Sequence, residues 1–141
     1  MDILVGRECM EIGRKTDGKL YNFYCVDDSA FMLKTLIRML DEFKVNVIGH
    51  NVKSMEALEY IREHKEEIDV VTLDINMPEM NGLEMLPKIK EINPKIKVII
   101  VSAIGETEKV KETIKMGASH FIVKPFNKNN AYPILKYVCT S

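Results

Sequence analysis

The stretch Ile-Asp-Val-Val-Thr-Leu-Asp-Ile-Asn-Met-Pro-Glu-Met-Asn-Gly, residues 68–82, decides the fold of this chain. Its first half is a short apolar run rich in valine, which is typical of a strand buried in a parallel sheet. The run ends at Asp74, and a loop with proline, asparagine and glycine follows it. The pattern therefore predicts a buried strand over residues 68–73, an acidic residue at its carboxyl end, and a helix beginning after Gly82.

Three further apolar runs end at polar side chains in the same way. Residues 21–26 precede Asp27-Asp28, residues 97–101 precede Ser102, and residues 120–123 precede Lys124-Pro125. In an open parallel sheet, functional residues lie beyond the carboxyl ends of the strands, at the switch in strand order. We therefore expect three carboxylates, one hydroxyl and one ammonium group to converge in a single acidic pocket.

Strands and helices are predicted to alternate along the chain, because apolar residues recur at helical spacing between the apolar runs. The predicted strands are residues 21–26, 45–51, 68–73, 97–101 and 120–123, and the predicted helices are residues 29–41, 54–66, 83–92, 106–116 and 130–139. This alternation indicates an α/β fold, a three-layer sandwich around a parallel sheet. Proline costs ~3 kcal/mol inside a helix, so Pro133 leads us to expect a short last helix that starts near Tyr132.

The length of 141 residues suits one domain with a single core. Residues 1–20 fit no regular element, because Gly13 and Gly18 interrupt them, and we expect a partly mobile N-terminal extension before a domain at residues 21–141. The 20 basic and 21 acidic residues give a net charge of −1. Neither a nucleic acid nor an anionic membrane is therefore an expected partner.

The expected location is the cytoplasm. No apolar run approaches the ~20 residues that a membrane span needs. The first residues lack a basic region followed by an apolar stretch, so they do not form a secretory signal. The three cysteines, an odd number at unrelated spacings, indicate a reducing compartment rather than a disulfide framework or a zinc site.

Four strings of residues carry a resemblance to a known family. They are Val-Asp-Asp-Ser-Ala-Phe-Met at 26–32, Thr-Leu-Asp-Ile-Asn-Met-Pro-Glu-Met-Asn-Gly at 72–82, Val-Ser-Ala at 101–103, and Val-Lys-Pro-Phe at 123–126. With these strings, residues 21–139 resemble the receiver domain of two-component response regulators, most of all the stand-alone CheY-type chemotaxis regulators. The resemblance implies a flavodoxin-like sheet in strand order 2-1-3-4-5 and phosphorylation of Asp74.

The residues of the pocket also suggest their chemistry without the family. Three clustered carboxylates repel one another, and Mg²⁺, which prefers oxygen ligands, would relieve that repulsion. We expect Asp28, Asp74 and the backbone carbonyl of Asn76 to bind the metal directly and Asp27 to act through a bound water. The alternative is that Asp27-Asp28 only caps the first helix, but Ser29 can cap it equally well, and capping leaves Asp74 unexplained.

Asp74 is the predicted phosphoacceptor, because a carboxylate can attack phosphorus to form an acyl phosphate. Lys124 and Ser102 are the predicted phosphoryl-binding side chains, since this transfer depends mainly on positioning and electrostatic stabilisation. The resemblance further implies a cis Lys124-Pro125 bond and a switch role for Phe121, which would change rotamer as Ser102 moves toward the phosphoryl group. Packing alone is the competing explanation for Phe121.

The resemblance also implies the partners. They are a chemotaxis histidine kinase, a flagellar motor switch protein and a dedicated phosphatase. The chain itself is expected to be a monomer that is not an enzyme and catalyses only its own phosphorylation and slow dephosphorylation. A phosphorelay intermediate, carrying phosphate between histidine-containing proteins, is the alternative within the family. A haloacid-dehalogenase-like phosphatase would place its nucleophile on the first strand, and a flavin carrier would need a phosphate loop where Asp27-Asp28 stands.

Overall fold

The computed structural model describes residues 10–141 and alternates five strands with five helices. The strands are β1 (Asn22–Val26), β2 (Asn46–Asn51), β3 (Val70–Asp74), β4 (Lys97–Ala103) and β5 (His120–Lys124). The helices are α1 (Ala30–Glu42), α2 (Ser54–Glu63), α3 (Gly82–Ile92), α4 (Thr107–Lys115) and α5 (Lys128–Thr140). No helix among the described residues is long and apolar enough to cross a membrane.

The five strands form one parallel sheet in the order β2-β1-β3-β4-β5, which confirms the predicted fold. Every residue of β3 is buried, as expected for a central strand that is covered on both faces. One hydrophobic cluster includes Leu73, Met85 and Ile100, and a second includes Phe23, Leu40 and Leu135. The chain leaves β1 to form β2 on one side of it and then crosses over to form β3 on the other side. The strand order therefore reverses at the carboxyl end of β1.

Side-chain caps fix where two helices begin. The Ser29 hydroxyl accepts the Met32 amide proton at 3.2 Å and so caps the amino terminus of α1, where the sequence predicted the helix to begin. Asn81 and Glu84 form a reciprocal capping box, in which each side chain accepts the other residue's backbone N–H. This box places the start of α3 directly after the loop that follows Asp74.

The last helix contradicts the expectation drawn from Pro133. α5 begins at Lys128, capped by Asn127, and runs for 13 residues with Pro133 inside it. The proline removes only the hydrogen bond that would reach the carbonyl of Asn129, an exposed residue that water can hydrate. Ala131, before the proline, is fully buried, so core packing holds the first turn in place and outweighs the lost bond.

The described part of the N-terminal extension packs onto the domain. Ile12 is 1% exposed and lies in the same cluster as Leu135. Its amide donates to the Phe43 carbonyl at 2.9 Å, and its carbonyl accepts from the Lys136 ammonium at 2.9 Å. The segment therefore joins the end of α1 to α5. The boundary at residue 20 and the partial mobility stay predictions, and residues 1–9 lie outside the described part of the chain.

Candidate functional site

The carboxyl ends of four strands bring the predicted side chains together. Asp27 directly follows β1, Asp74 ends β3, Ser102 is the next-to-last residue of β4, and Lys124 ends β5. The strands are in register here, with Asp74 beside Val101 and Ser102 beside Val123. The polar groups therefore lie at one edge of the sheet, at the reversal in strand order.

The three aspartates form one acidic cluster. Each of Asp27, Asp28 and Asp74 offers a carboxylate oxygen, and these oxygens lie within 4.8 Å of one another. Asp27 and Asp74 are buried, with 4% and 5% exposure, whereas Asp28 is exposed. Asp27 also accepts the Ser29 amide proton at 2.9 Å, so it shapes the turn before α1 in addition to lining the pocket. An exclusively oxygen donor set of this charge suits a hard divalent cation such as Mg²⁺.

Lys124 reaches into this cluster. Its ammonium nitrogen lies 3.0 Å from Asp27 Oδ2 and 3.6 Å from Asp74 Oδ1. The peptide bond between Lys124 and Pro125 is cis, as the resemblance implied. The ammonium therefore bridges the ends of β1 and β3 from the edge strand β5, where it offsets part of the carboxylate charge.

Burial and crowding hold the Asp74 carboxyl partly protonated. Desolvation first, and then the charge of Asp27, raise the pKa of Asp74 to about 7. The Lys124 ammonium and the Asn76 amide proton, which Asp74 Oδ1 accepts at 3.3 Å, act in the opposite direction. A bound cation would take over the role of that proton, so metal binding at this cluster should release protons near neutral pH.

We expect the metal-free protein to lose stability relative to an Asp74→Asn variant as the pH rises from 5 to 8. The raised pKa means that the folded chain binds more protons than the unfolded chain between about 4 and 7. Ionising Asp74 across this range therefore destabilises the fold progressively, whereas the amide of asparagine stays uncharged at every pH. Thermal melts with a chelator measure the difference in Tm between the two proteins at each pH.

The control for this comparison is Asp41→Asn, which changes an exposed aspartate. Its Tm should follow that of the wild type at every pH. A gap between wild type and Asp74→Asn that is constant from pH 5 to pH 8 would contradict the assignment of a raised pKa to Asp74.

Two buried hydroxyls near the cluster have no hydrogen-bond partner among the described residues. They belong to Thr72 on β3 and to Ser102 on β4. Each residue is 1% exposed, and an unsatisfied buried polar group costs about 1–3 kcal/mol. Ser102 lies where the resemblance places a phosphoryl-binding hydroxyl, so its hydroxyl is available for an incoming acceptor oxygen.

Two residues that the sequence did not single out contact the loop after β3. The Asn76 side-chain amide donates to the Glu106 carboxylate, and its side-chain carbonyl accepts from the Lys109 ammonium at 3.1 Å. Glu106 and Lys109 themselves form an ion pair at 3.6 Å. A glutamate three residues before a lysine is common on exposed helices, so no sequence signal distinguished this pair from its surface neighbours.

Phe121 lies beside an apolar groove next to the cluster. The side chain is half-buried and packs against the cluster that contains Ile100. The groove has a volume of about 580 Å³, and its lining includes Ser102, Ile104, Val110, Ile114, Phe121 and Val123. Because Ser102 and Phe121 line the same groove, a displacement of one can change the space open to the other. The switch role of Phe121 stays a prediction.

Gly82 lets α3 begin directly against the end of β3. Its amide donates to the Ile75 carbonyl at 2.9 Å. A Cβ atom at this position would lie 2.9 Å from the Ile75 Cα and 3.0 Å from the Asp74 carbonyl oxygen, closer than real Cβ contacts. Only glycine therefore fits without moving the backbone that presents Asp74.

Comparison with known proteins agrees with this geometry. Residues 23–136 match the family model of the response regulator receiver domain. The chain is 42% identical to the chemotaxis protein CheY of Thermotoga maritima, over 80% of this chain and 92% of the relative. It is 36% identical to CheY of Treponema pallidum, over 82% and 81%. The CheX-CheY-BeF₃-Mg²⁺ complex from Borrelia burgdorferi matches with a TM-score of 0.85 and 34% identity, covering 92% of this chain and 97% of that chain.

Proposed function

The chain belongs to the receiver-domain family of response regulators and is CheY-like, and from this premise we propose that it is a single-domain regulator phosphorylated on Asp74. CheY-like receivers are signalling proteins rather than classical enzymes. A histidine kinase would supply the phosphoryl group, and phosphorylation would change the affinity for a partner. The observation that carries the proposal is the buried Ser102 hydroxyl, which has no hydrogen-bond partner in residues 10–141 and lies beside an acidic cluster that an ammonium group bridges.

The acidic cluster is the proposed Mg²⁺ site. Asp28, Asp74 and the backbone carbonyl of Asn76 would hold the ion, with Asp27 acting through a bound water. When bound, the ion supplies positive charge to the oxygens of the transferring phosphoryl group. Asp28 is exposed, so an ion bound to it would lie at the mouth of the pocket, where it could keep several waters.

In the proposed transfer, an Asp74 carboxylate oxygen attacks phosphorus while the bond from phosphorus to the donor histidine breaks. The donor nitrogen leaves with the bonding electrons, and Asp74 becomes an acyl phosphate. Lys124 is 3.6 Å from Asp74 Oδ1 and can pair with a phosphoryl oxygen from its present position. Ser102 then donates its hydroxyl proton to another phosphoryl oxygen, which satisfies the buried group.

Mg²⁺ is expected to stabilise the wild-type chain against heat and to leave Asp28→Ala unaffected. A ligand that binds only the folded state contributes about 2.7 kcal/mol at 100 times its Kd. Removing Asp28 also relieves like-charge repulsion, so the metal-free variant should be at least as stable as the parent. A thermal shift titration with Mg²⁺ measures both effects.

Asp41→Ala, which removes an exposed carboxylate, is the matched control for the loss of one negative charge. It should respond to Mg²⁺ like the wild type. Identical titrations for wild type and Asp28→Ala would argue against a metal site at this cluster.

The proposed output surface is the face near α4, β5 and α5, and the apolar groove beside Phe121 is the part of it that α4, β5 and the end of β4 line. Three of its residues are apolar and unusually exposed, namely Ile104 at 78%, Ile114 at 41% and Val123 at 40%. Exposed apolar groups that cluster in this way mark a binding surface. Phosphorylation would draw Ser102 inward, Phe121 would fill the vacated space, and the groove would change shape. The proposed partner is a flagellar motor switch protein, and a dedicated phosphatase would end the signal.

Target affinity tests this output mechanism. We expect beryllofluoride with Mg²⁺ to tighten binding of a motor switch peptide by about tenfold, within the usual range of allosteric coupling. Phe121→Ala should remove most of that gain without preventing beryllofluoride binding. The control is Phe31→Ala, which changes a 74% exposed phenylalanine of α1 outside the groove.

Equal peptide affinity in all states would favour the alternative, a phosphorelay intermediate that passes its phosphoryl group to another histidine-containing protein. Phosphotransfer to and from a histidine phosphotransfer protein would then be measured directly. In either role we propose a cytoplasmic monomer that binds proteins rather than nucleic acid or membranes, consistent with its net charge of −1.

A further inference from the structure

A bridge of polar side chains connects the loop after β3 to the start of α4. We define the bridge as Asn76, Glu106 and Lys109. The Glu106 carboxylate accepts a hydrogen bond from the Asn76 side-chain amide, and the Lys109 ammonium donates to the Asn76 side-chain carbonyl at 3.1 Å. Glu106 and Lys109 also form an ion pair at 3.6 Å. Each of the three side chains thus contacts the other two, which leaves the Asn76 side chain with a donor and an acceptor satisfied at once.

We propose that Glu106 and Lys109 are positioning residues for cation binding, because they orient the loop that carries Asn76. The inference rests on the proposed metal site, in which the Asn76 backbone carbonyl is a ligand. Fixing the Asn76 side chain restricts rotation of the same residue's backbone, so its carbonyl is held ready for the cation. The bridge also links that loop to the segment that follows Ser102 on β4.

Burial distinguishes the ion pair between Glu106 and Lys109 from the ion pair two residues further along the same helix. Glu106 has only 18% of its side chain exposed. Glu108 and Lys111 pair over the same spacing, also at 3.6 Å, but their side chains are 86% and 67% exposed. Among the described residues, neither member of the second pair donates a side-chain hydrogen bond to the loop after β3 or accepts one from it, so the pair is a matched control on the same helix.

The sign of the Lys109→Met effect separates positioning from simple electrostatics. Removing a positive charge near an acidic cluster should, by Coulomb's law alone, strengthen Mg²⁺ binding. The bridge predicts the opposite, a weakening of about threefold to tenfold, which corresponds to the net contribution of one hydrogen bond. Mg²⁺ binding is measured by titration of the full chain, followed by thermal shift and by calorimetry.

A double-mutant cycle provides the second test. Asn76→Ala keeps the backbone carbonyl and the net charge but removes the side chain from the bridge, and Glu106→Ala removes its acceptor. Each single variant should weaken Mg²⁺ binding, and the double variant should bind no worse than the weaker single variant, because both changes break the same contact. Glu108→Ala should bind Mg²⁺ like the wild type.

The outcomes distinguish the two proposals. If the wild type does not bind Mg²⁺, the proposed metal site itself fails. If the wild type binds but Lys109→Met binds as tightly or more tightly, or if the Asn76 and Glu106 effects are additive, the metal site stands and the positioning role is overturned. Weakening by Lys109→Met together with a non-additive cycle supports the bridge.

Discussion

Asp74→Asn is expected to abolish phosphorylation of this chain by a small phosphodonor. Incubated with Mg²⁺ and acetyl phosphate, the wild type should gain one base-labile phosphoryl group, whereas the variant should gain none. The reason is that an amide oxygen is a far poorer nucleophile than a carboxylate and carries no negative charge toward the metal. Intact-mass measurement of both proteins after the same incubation gives the result directly.

Two further variants delimit this result. Asp41→Asn, a change at an exposed aspartate, should be phosphorylated like the wild type. Lys124→Ala should still gain the phosphoryl group but respond to it weakly, because the ammonium that lies 3.6 Å from Asp74 no longer links the phosphoryl group to β5. Phosphate found on Ser102 with Asp74 unmodified would overturn the assignment of the phosphoacceptor.

Ile12→Ala is expected to destabilise the fold by about 3 kcal/mol, within the range for truncating a buried isoleucine to alanine. Ile12 is 1% exposed and packs in the cluster that contains Leu40 and Leu135. Its loss would leave a cavity between the end of α1 and α5, which the surrounding backbone contacts prevent from closing. Urea denaturation with an unchanged slope measures the free energy of unfolding.

The same substitution at an exposed position is the control. Ile104 is 78% exposed, so Ile104→Ala should change stability by no more than about 0.5 kcal/mol. If the two variants are equally stable, the N-terminal segment does not belong to the core, and residues 10–20 would be a separable extension.

The strands were predictable because the pattern of each is local, whereas their order in the sheet was an expectation from the resemblance to receiver domains. Each strand is a short apolar run bounded by turn residues, and parallel strands buried on both faces need no alternation. Ser29 marked the start of α1. Gly117, at φ 108°, follows the end of α4, where a glycine commonly terminates a helix. Ile12 was missed because its neighbours are charged residues and glycine, so nothing in the local pattern indicates burial by segments far along the chain.

Pro133 was misjudged for a related reason. The local rule counts the lost hydrogen bond, but the helix also depends on Ala131, Leu135 and Val138, which are all buried. The free energy gained by packing these side chains against the core exceeds the free energy lost with one backbone hydrogen bond. No sequence rule that considers the helix alone contains this contribution.

The polar groups of the site could be located from sequence because each follows a strand directly. Their pairings could not, since the 3.0 Å contact of Lys124 with Asp27 and the bridge at Asn76 depend on how neighbouring loops fold over the sheet. The raised pKa of Asp74 is likewise a property of burial. The sequence showed which residue types the site contains, but it could not show the distances between them.

Gly82 also bears on how sequences of this kind can drift. The position lies in no polar contact with the acidic cluster, yet a methyl group there would press on the Ile75 Cα and the Asp74 carbonyl oxygen at 2.9 and 3.0 Å. Exposed residues of α3 can therefore be substituted during evolution, but a side chain at the first residue of α3 would clash with the backbone of Asp74 and Ile75. A glycine retained at this point in diverging descendants would reflect the lack of space behind Asp74 rather than any chemistry of its own.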